Sequence, residues 1–119
     1  MEMKISIITA CYNSAATIED AIHSVGAQTF QHIEHIIVDG GSTDGTLEIV
    51  ARHRNPLSVV VSEPAAGVYD AMNKGLRYAS GDVIGFLNSD DVYADENVLD
   101  QIVSAFRDAE VDACYADLI

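Results

Sequence analysis

Asp90 and Asp91 stand side by side, directly after the apolar stretch at residues 83–87. Adjacent carboxylates repel one another unless a cation sits between or beside them. Mg²⁺ and Mn²⁺ prefer oxygen ligands and reach proteins through one or two carboxylates plus the phosphates of a bound molecule. The pair therefore reads as a place where Mn²⁺ or Mg²⁺ meets a diphosphate. The plainer reading is a solvated acidic turn ahead of a helix, whose positive end also favours carboxylates. A second polar segment, Asp39-Gly40-Gly41-Ser42-Thr43-Asp44-Gly45, joins glycines that let backbone approach a ligand to hydroxyl and carboxylate groups. Asp39, at a strand end, suits a base or ribose contact, while Ser42 or Thr43 suits a helix cap. A third segment, residues 9–14, carries Tyr12, whose ring can stack on a nucleobase or simply pack with its hydroxyl in water. Lys74 is a candidate phosphate contact in an acidic chain, against the ordinary alternative of an exposed helix lysine.

Alternating strands and helices must position these groups. The apolar run at residues 5–8 reads as a buried strand leading into the loop at 9–14. Ser14 or Thr17 can cap the next helix, whose apolar face is Ile18, Ala21, Ile22 and Val25. Residues 33–39 form a β-branched strand. A helix over 46–53, a strand over 57–61 and a helix over 67–78 follow. Ser80-Gly81-Asp82 turns into a strand over 83–87. Asp95 is the expected cap of a helix running to about residue 106, with Val98, Leu99, Ile102, Val103 and Phe106 on one face. A last strand is expected from about residue 111. This alternation implies right-handed crossovers and an α/β fold, a Rossmann-like and mainly parallel sheet flanked by helices. Ligands of such sheets bind outside the carboxyl ends of the strands. The three polar loops leave from those ends, which gathers Tyr12, Asn13, Asp39, Asp44, Asp90 and Asp91 along one edge.

Nineteen acidic residues against six basic ones give a formal net charge of −13. This surface repels nucleic acid and offers no basic stripe to attract it. The chain, of 119 residues, is one domain at most. Cys11 and Cys114 show no metal-ligand spacing and read as reduced, buried thiols. His23, His32, His35 and His53 are likewise without ligand spacing and are expected on helix and loop surfaces. The amino end has no signal-peptide pattern, and no apolar run reaches the ~20 residues that cross a bilayer. A cytoplasmic protein with at most peripheral membrane contact is expected, any membrane association belonging to a longer chain.

Four stretches together resemble the nucleotide-binding half of the family 2 glycosyltransferases, which have the glycosyltransferase-A fold. They are Ile5-Ser6-Ile7-Ile8-Thr9-Ala10-Cys11-Tyr12-Asn13; Gln28-Thr29-Phe30 with residues 34–45; Tyr69-Asp70-Ala71-Met72-Asn73-Lys74-Gly75; and Ala79-Ser80-Gly81-Asp82 through Asp91. The resemblance implies that Thr9 and Tyr12 flank a nucleobase and Asp39 reads its polar edge. Asp44 shapes the same pocket. Asp90 approaches the ribose or sugar, and Asp91 ligates a metal bridging the diphosphate. With Asn13 and Lys74, these make up the candidate nucleotide-binding set. The implied reaction moves a sugar from a nucleoside diphosphate to a hydroxyl of a saccharide or lipid-linked acceptor, with inversion, and a carboxylate base deprotonates that hydroxyl. Many members carry a second aspartate where Gly40 stands and an arginine where Met72 stands. No candidate base follows the acidic pair, since Asp112 and Asp117 belong to the last expected strand. Residues 1–119 are thus expected to be the donor-binding part of a longer enzyme, truncated before its acceptor-binding part, with the catalytic residue unknown.

Other classes fit less well. A phosphatase of the haloacid type needs an aspartate after the first strand, a nucleotidyltransferase a glycine-rich basic loop there, and a dehydrogenase Gly-x-Gly-x-x-Gly. All three are absent. The remaining alternative is a non-catalytic nucleotide- or metal-binding module of the same fold.

Overall fold

The structure, a computed structural model, describes residues 3–109. The expected strand from residue 111 and Cys114 lie outside these residues. The elements run β1 (Ile5–Cys11), α1 (Ile18–Gly26), β2 (Ile33–Asp39), α2 (Thr46–His53), β3 (Ser58–Ser62), α3 (Val68–Leu76), β4 (Val83–Phe86) and α4 (Val98–Ala109). All strand pairs are parallel, in the order β3-β2-β1-β4.

The chain winds from β1 outward through β2 to β3, then returns to add β4 on the other side of β1. The switch point of the sheet, where a crevice opens, therefore lies between β1 and β4. Helix α1 lays Ile18, Ala21, Ile22 and Val25 on one sheet face, all fully buried, as its spacing requires. Helix α4 joins that face through Val98, Leu99 and Val103. Helix α3 covers the opposite face, where Ala71 packs with Ile8, Ile36 and Val38.

The first strand is longer than expected. Thr9, Ala10 and Cys11 pair with Ile37, Val38 and Asp39, so the loop begins at Tyr12. A threonine and a cysteine suit a buried strand when their polar atoms find partners inside, and both do here. The caps also differ from expectation. The Thr17 hydroxyl makes no cap hydrogen bond. The Ser14 carbonyl accepts from the Thr17 and Ile18 amides instead. Helix α2 starts after Gly45, at φ 94°, a left-handed conformation that a side chain rarely tolerates. Asp44, rather than Ser42 or Thr43, accepts from the Thr46 amide at 3.1 Å.

Close approach of α3 to the sheet depends on Gly75. A Cβ at this position would lie 2.6 Å from Ile8 Cγ2 and 3.3 Å from Val38 Cγ2, both in the core. The Gly75→Ala substitution gains at most about 1 kcal/mol of helix propensity. Forcing the helix off the sheet costs typically about 1–3 kcal/mol. We expect a net loss of stability, read as a lower denaturant midpoint. An unchanged or raised midpoint would show that the sheet yields at Ile8.

Candidate functional site

Loops from the carboxyl ends of β1, β2, β3 and β4 converge above the crevice. They are bonded mainly to each other. Asn13 adopts φ 49°, the only positive φ outside glycine among the described residues. This left-handed turn aims its amide at Ser42 Oγ (2.8 Å) and lets its Oδ1 accept from the Thr43 amide (2.8 Å). Asparagine tolerates this conformation better than most side chains. Ser14 donates its amide to Thr46 Oγ1 at 2.8 Å, and its hydroxyl lies 2.9 Å from Ser89 Oγ across the switch point. The Ala15 amide donates to Asp44 Oδ2 at 3.1 Å. The Thr46 hydroxyl holds the Asp44 carboxyl below the usual carboxylate range. Bonds from the Ala15 and Thr46 amides act in the same direction.

Asp39 is fully buried. Its Oδ2 accepts from the Gly41 and Ser42 amides at 3.1 Å each, and its Oδ1 accepts from the Ser42 hydroxyl at 2.5 Å. The Cys11 thiol points at the same Oδ1, 3.8 Å away. Burial, followed by the charge of Asp39, pushes this thiol up to about 12, so it remains a protonated donor. Asp39 thereby shapes the turn that presents Gly40 and Gly41 to the cleft.

The cleft itself has a volume of about 760 Å³. Tyr12 and Val68 stand largely exposed at its walls, Gly40, Gly41 and Ala71 line it, and Ser89 closes the β4 side. A smaller depression of about 430 Å³ shares Ala10, Ser14, Val68 and Ser89 with it and reaches Asn13, Asn88 and Asp90. An apolar trough with an aromatic wall thus leads into a polar, acidic mouth. Gly40 has room beside it: a Cβ there would meet Ala65 Cβ at 3.5 Å and Tyr12 Cδ1 at 3.8 Å, ordinary contacts.

At that mouth Asp90 is exposed and Asp91 half-buried. Asn88 donates its side-chain amide to Asp91 Oδ2 at 3.2 Å, and the Asp91 amide closes a turn onto the Asn88 carbonyl at 3.0 Å. The donor set is all oxygen and open on one side. It fits a hard divalent cation that fills its remaining positions with phosphate and water.

Two residues of the candidate set are turned elsewhere. Thr9 is fully buried, and its hydroxyl lies 2.7 Å from His35 Nε2. Strand alternation sets it on the sheet face of Ile7 and Ile37. Lys74 donates to the Pro64 carbonyl at 2.5 Å and lies 3.8 Å from both Glu63 and Asp70. It braces the β3–α3 loop from behind.

Of the four histidines expected at the surface, His23 and His32 are exposed and His53 is partly so, whereas His35 departs from the expectation. His35 is fully buried, because β2 is a central strand covered on both faces. Its Nδ1 has no hydrogen-bond partner. His23 and His53, thirty residues apart in the chain, are brought together with Glu19.

Sequence reasoning gave no role to Gln28. It is buried and joins two elements: its Nε2 donates to the Asp95 carbonyl at 2.7 Å, and its Oε1 accepts from the Leu99 amide at 3.0 Å. It therefore does part of the capping expected of Asp95, whose Oδ1 accepts from the Asn97 amide at 2.8 Å instead. The neighbouring Thr29 bonds to Asp100 and, through its amide, to the Glu96 carbonyl. The segment after α1 thus fixes the start of α4 and with it the loop bearing Asp90 and Asp91. A glutamine directly after a helix, within a stretch shared with a family, was the available signal.

A parallel sheet with this strand order is that of a glycosyltransferase-A fold, and comparison with known proteins agrees. The family model for glycosyl transferase family 2 matches residues 6–118, and the chain belongs to that family. It is 40% identical over 101 residues to the putative teichuronic acid biosynthesis glycosyltransferase TuaG of Bacillus subtilis, covering 82% of this chain and 40% of that protein. Among solved structures it is similar to Staphylococcus aureus TarS in complex with UDP-GlcNAc. The TM-score is 0.84 at 28% identity, over 97% of this chain and 37% of that one. It is equally similar to a mannosyltransferase of Pyrobaculum calidifontis in complex with GDP-Man and Mn²⁺. Here the TM-score is 0.84 at 27% identity, over 93% of this chain and 34% of that one. The chain spans about two fifths of the length of the curated relatives it matches. Among the described residues, no helix is long and apolar enough to cross a membrane.

Proposed function

We propose that this chain binds the nucleoside-diphosphate sugar of a glycosyl transfer and serves as the donor-site part of an inverting, metal-dependent enzyme. The observation that carries the reading is the hydrogen-bonded ring of loops around one cleft, with an aromatic wall at one end and Asp90-Asp91 at the other. Tyr12 stacks on the base, and the Gly40-Gly41 backbone comes close to it. Asp39 reads the base through the turn that it organises, or directly once Ser42 yields. Asn13 and Asp44 hold the loops in register, and Asp90 reaches the ribose or sugar. Thr9 and Lys74 act from behind the pocket wall.

Asp91, aided by Asn88, is the residue that would hold Mn²⁺ or Mg²⁺ against the diphosphate. A cation bound there supplies a Lewis acid for the negative charge of the departing nucleoside diphosphate. Structural relatives whose bound ligands include GDP-Man with Mn²⁺ support this assignment. The saccharide or lipid-linked acceptor, and the carboxylate that deprotonates its hydroxyl, belong to the part of the domain that the longer relatives have in addition. On this reading the chain alone binds donor and does not transfer sugar efficiently.

Thermal unfolding against UDP, GDP, dTDP and CDP, each with and without Mn²⁺, tests the proposal. A ligand at one hundred times its dissociation constant stabilises the fold by about 2.7 kcal/mol. We expect one nucleotide to raise the melting temperature, and only with metal. If no nucleotide does so for this chain or for a longer chain containing it, the donor-site reading fails. Rapid sugar transfer by this chain alone would overturn its restriction to donor binding.

A further inference from the structure

We propose that Glu19, His23 and His53 form a second metal site, on the outer surface of the α1–α2 pair, for a borderline transition-metal ion such as Zn²⁺. The ligands come from two helices. Glu19 and His23 are four residues apart on α1, hence neighbours on one helix face. Both are exposed, outside the apolar stripe that α1 buries. His53 is the last residue of α2. Ile22 of α1 and Val50 of α2 share one core cluster, which fixes the two helices side by side and delivers His53 to the α1 surface.

One ligand atom from each residue falls within a group whose members all lie within 4.8 Å of one another. His53 Nε2 is 3.0 Å from Glu19 Oε1, and the His23 and His53 rings meet edge-on with centroids 5.1 Å apart. Ligands on a tetrahedral Zn²⁺, at bonds of about 2.0–2.1 Å, sit about 3.4 Å from each other. The cluster is therefore near that geometry. The exposed Glu19 and His23 side chains have the freedom to close the difference.

Two imidazoles and one carboxylate are a donor set that Zn²⁺ accepts with its fourth position open to water. Nitrogen ligands select Zn²⁺, Ni²⁺ and Cu²⁺ over Mg²⁺ and Mn²⁺. The set contrasts with the oxygen-only donors at Asp90-Asp91, so the two sites differ in the ions they take. The net charge of −13 favours cation capture at either. A metal here clips the carboxyl end of α2 to the middle of α1. Those two helices begin at the loops that carry Asn13, Ser14 and Asp44.

Isothermal titration with ZnCl₂ of a chain carrying Asp90→Ala and Asp91→Ala isolates this site from the other. We expect one Zn²⁺ per chain, with Mn²⁺ failing to compete. In the same background His23→Ala and His53→Ala should each weaken binding by at least about tenfold, which corresponds to about 1.4 kcal/mol. Their far-UV circular dichroism should stay unchanged, since both side chains lie at the surface. Co²⁺ should show the absorption of nitrogen-ligated metal in the parent and lose it in either variant. Zn²⁺ affinity indifferent to both histidine substitutions, or no Zn²⁺ uptake, would leave only the His53–Glu19 ion pair and overturn the proposal.

Discussion

Asp91→Ala is expected to abolish the metal-dependent stabilisation by nucleotide while leaving the unliganded fold almost untouched. Asp91 is half-buried and takes a single side-chain hydrogen bond, from Asn88, so its loss removes little that folding uses. Substitutions of this kind usually fall within about ±0.5 kcal/mol. Relief of repulsion from Asp90 offsets part of even that. The ligand effect is much larger, because the cation and diphosphate neutralise each other at this side chain. At one hundred times the parent's dissociation constant, about 2.7 kcal/mol of stabilisation should vanish. Glu96→Gln is the proper control: it removes the same charge from an exposed position two residues before α4 begins. If the loss came from the long-range field of an acidic protein, both variants would show it. Ligation predicts it for Asp91 alone. A parent-like shift in Asp91→Ala would move the metal away from this aspartate and undo the central assignment of the proposed function.

The fold was legible where burial and periodicity agree. The stripe of α1 and the β-branched run of β2 each have one reading: the four stripe residues are buried, and β2 has the expected bounds. The end of β1 was not legible, because Thr9 and Cys11 look like loop residues until His35 and Asp39 are known to partner their polar atoms. Helix caps were misread for a related reason. Hydroxyls at residues 14, 17, 42 and 43 offer several local solutions, and the choice among them is made by contacts between loops that are 29 or more residues apart. The Ser14 hydroxyl is engaged by Ser89 and by the Tyr12 backbone rather than by the first amides of α1. Topology alone sufficed to gather Tyr12, Asn13, Asp39, Asp44, Asp90 and Asp91 at one end of the sheet. It did not say which of them face the cleft and which hold the loops that do. The Glu19-His23-His53 cluster lay beyond reach for the same reason, since helix packing rather than spacing creates it.

Acidification should uncover His35, a titratable group buried inside the core. Burial lowers its pKa from the ordinary 6.5 to about 4. With Nε2 bonded to Thr9 and Nδ1 unpartnered, the neutral ring leaves at most one group unsatisfied, whereas the protonated ring would bury a charge. The unfolded chain takes up its proton near pH 6.5 and the folded chain only near pH 4, so the unfolded state binds more protons between these values. Stability from this group is therefore complete above about pH 6.5 and falls as the pH drops toward 4. That span corresponds to about 3 kcal/mol at about 1.4 kcal/mol per pH unit. The bonded carboxylates Glu34 and Asp44 lose their contributions at still lower pH. For Glu34, burial acts to raise the carboxyl, but bonds from Ser6, Ser80 and Lys4 outweigh it and hold the group low. The measurement is denaturant unfolding at several pH values between 7 and 4, for the parent and for His35→Gln, whose amide can still reach Thr9 but does not titrate. The variant should be less stable at pH 7, because its amide carries more polar groups into the same apolar surroundings, yet its stability should change far less over the interval. Equal slopes in parent and variant would mean that His35 is not the group through which acid reaches the core.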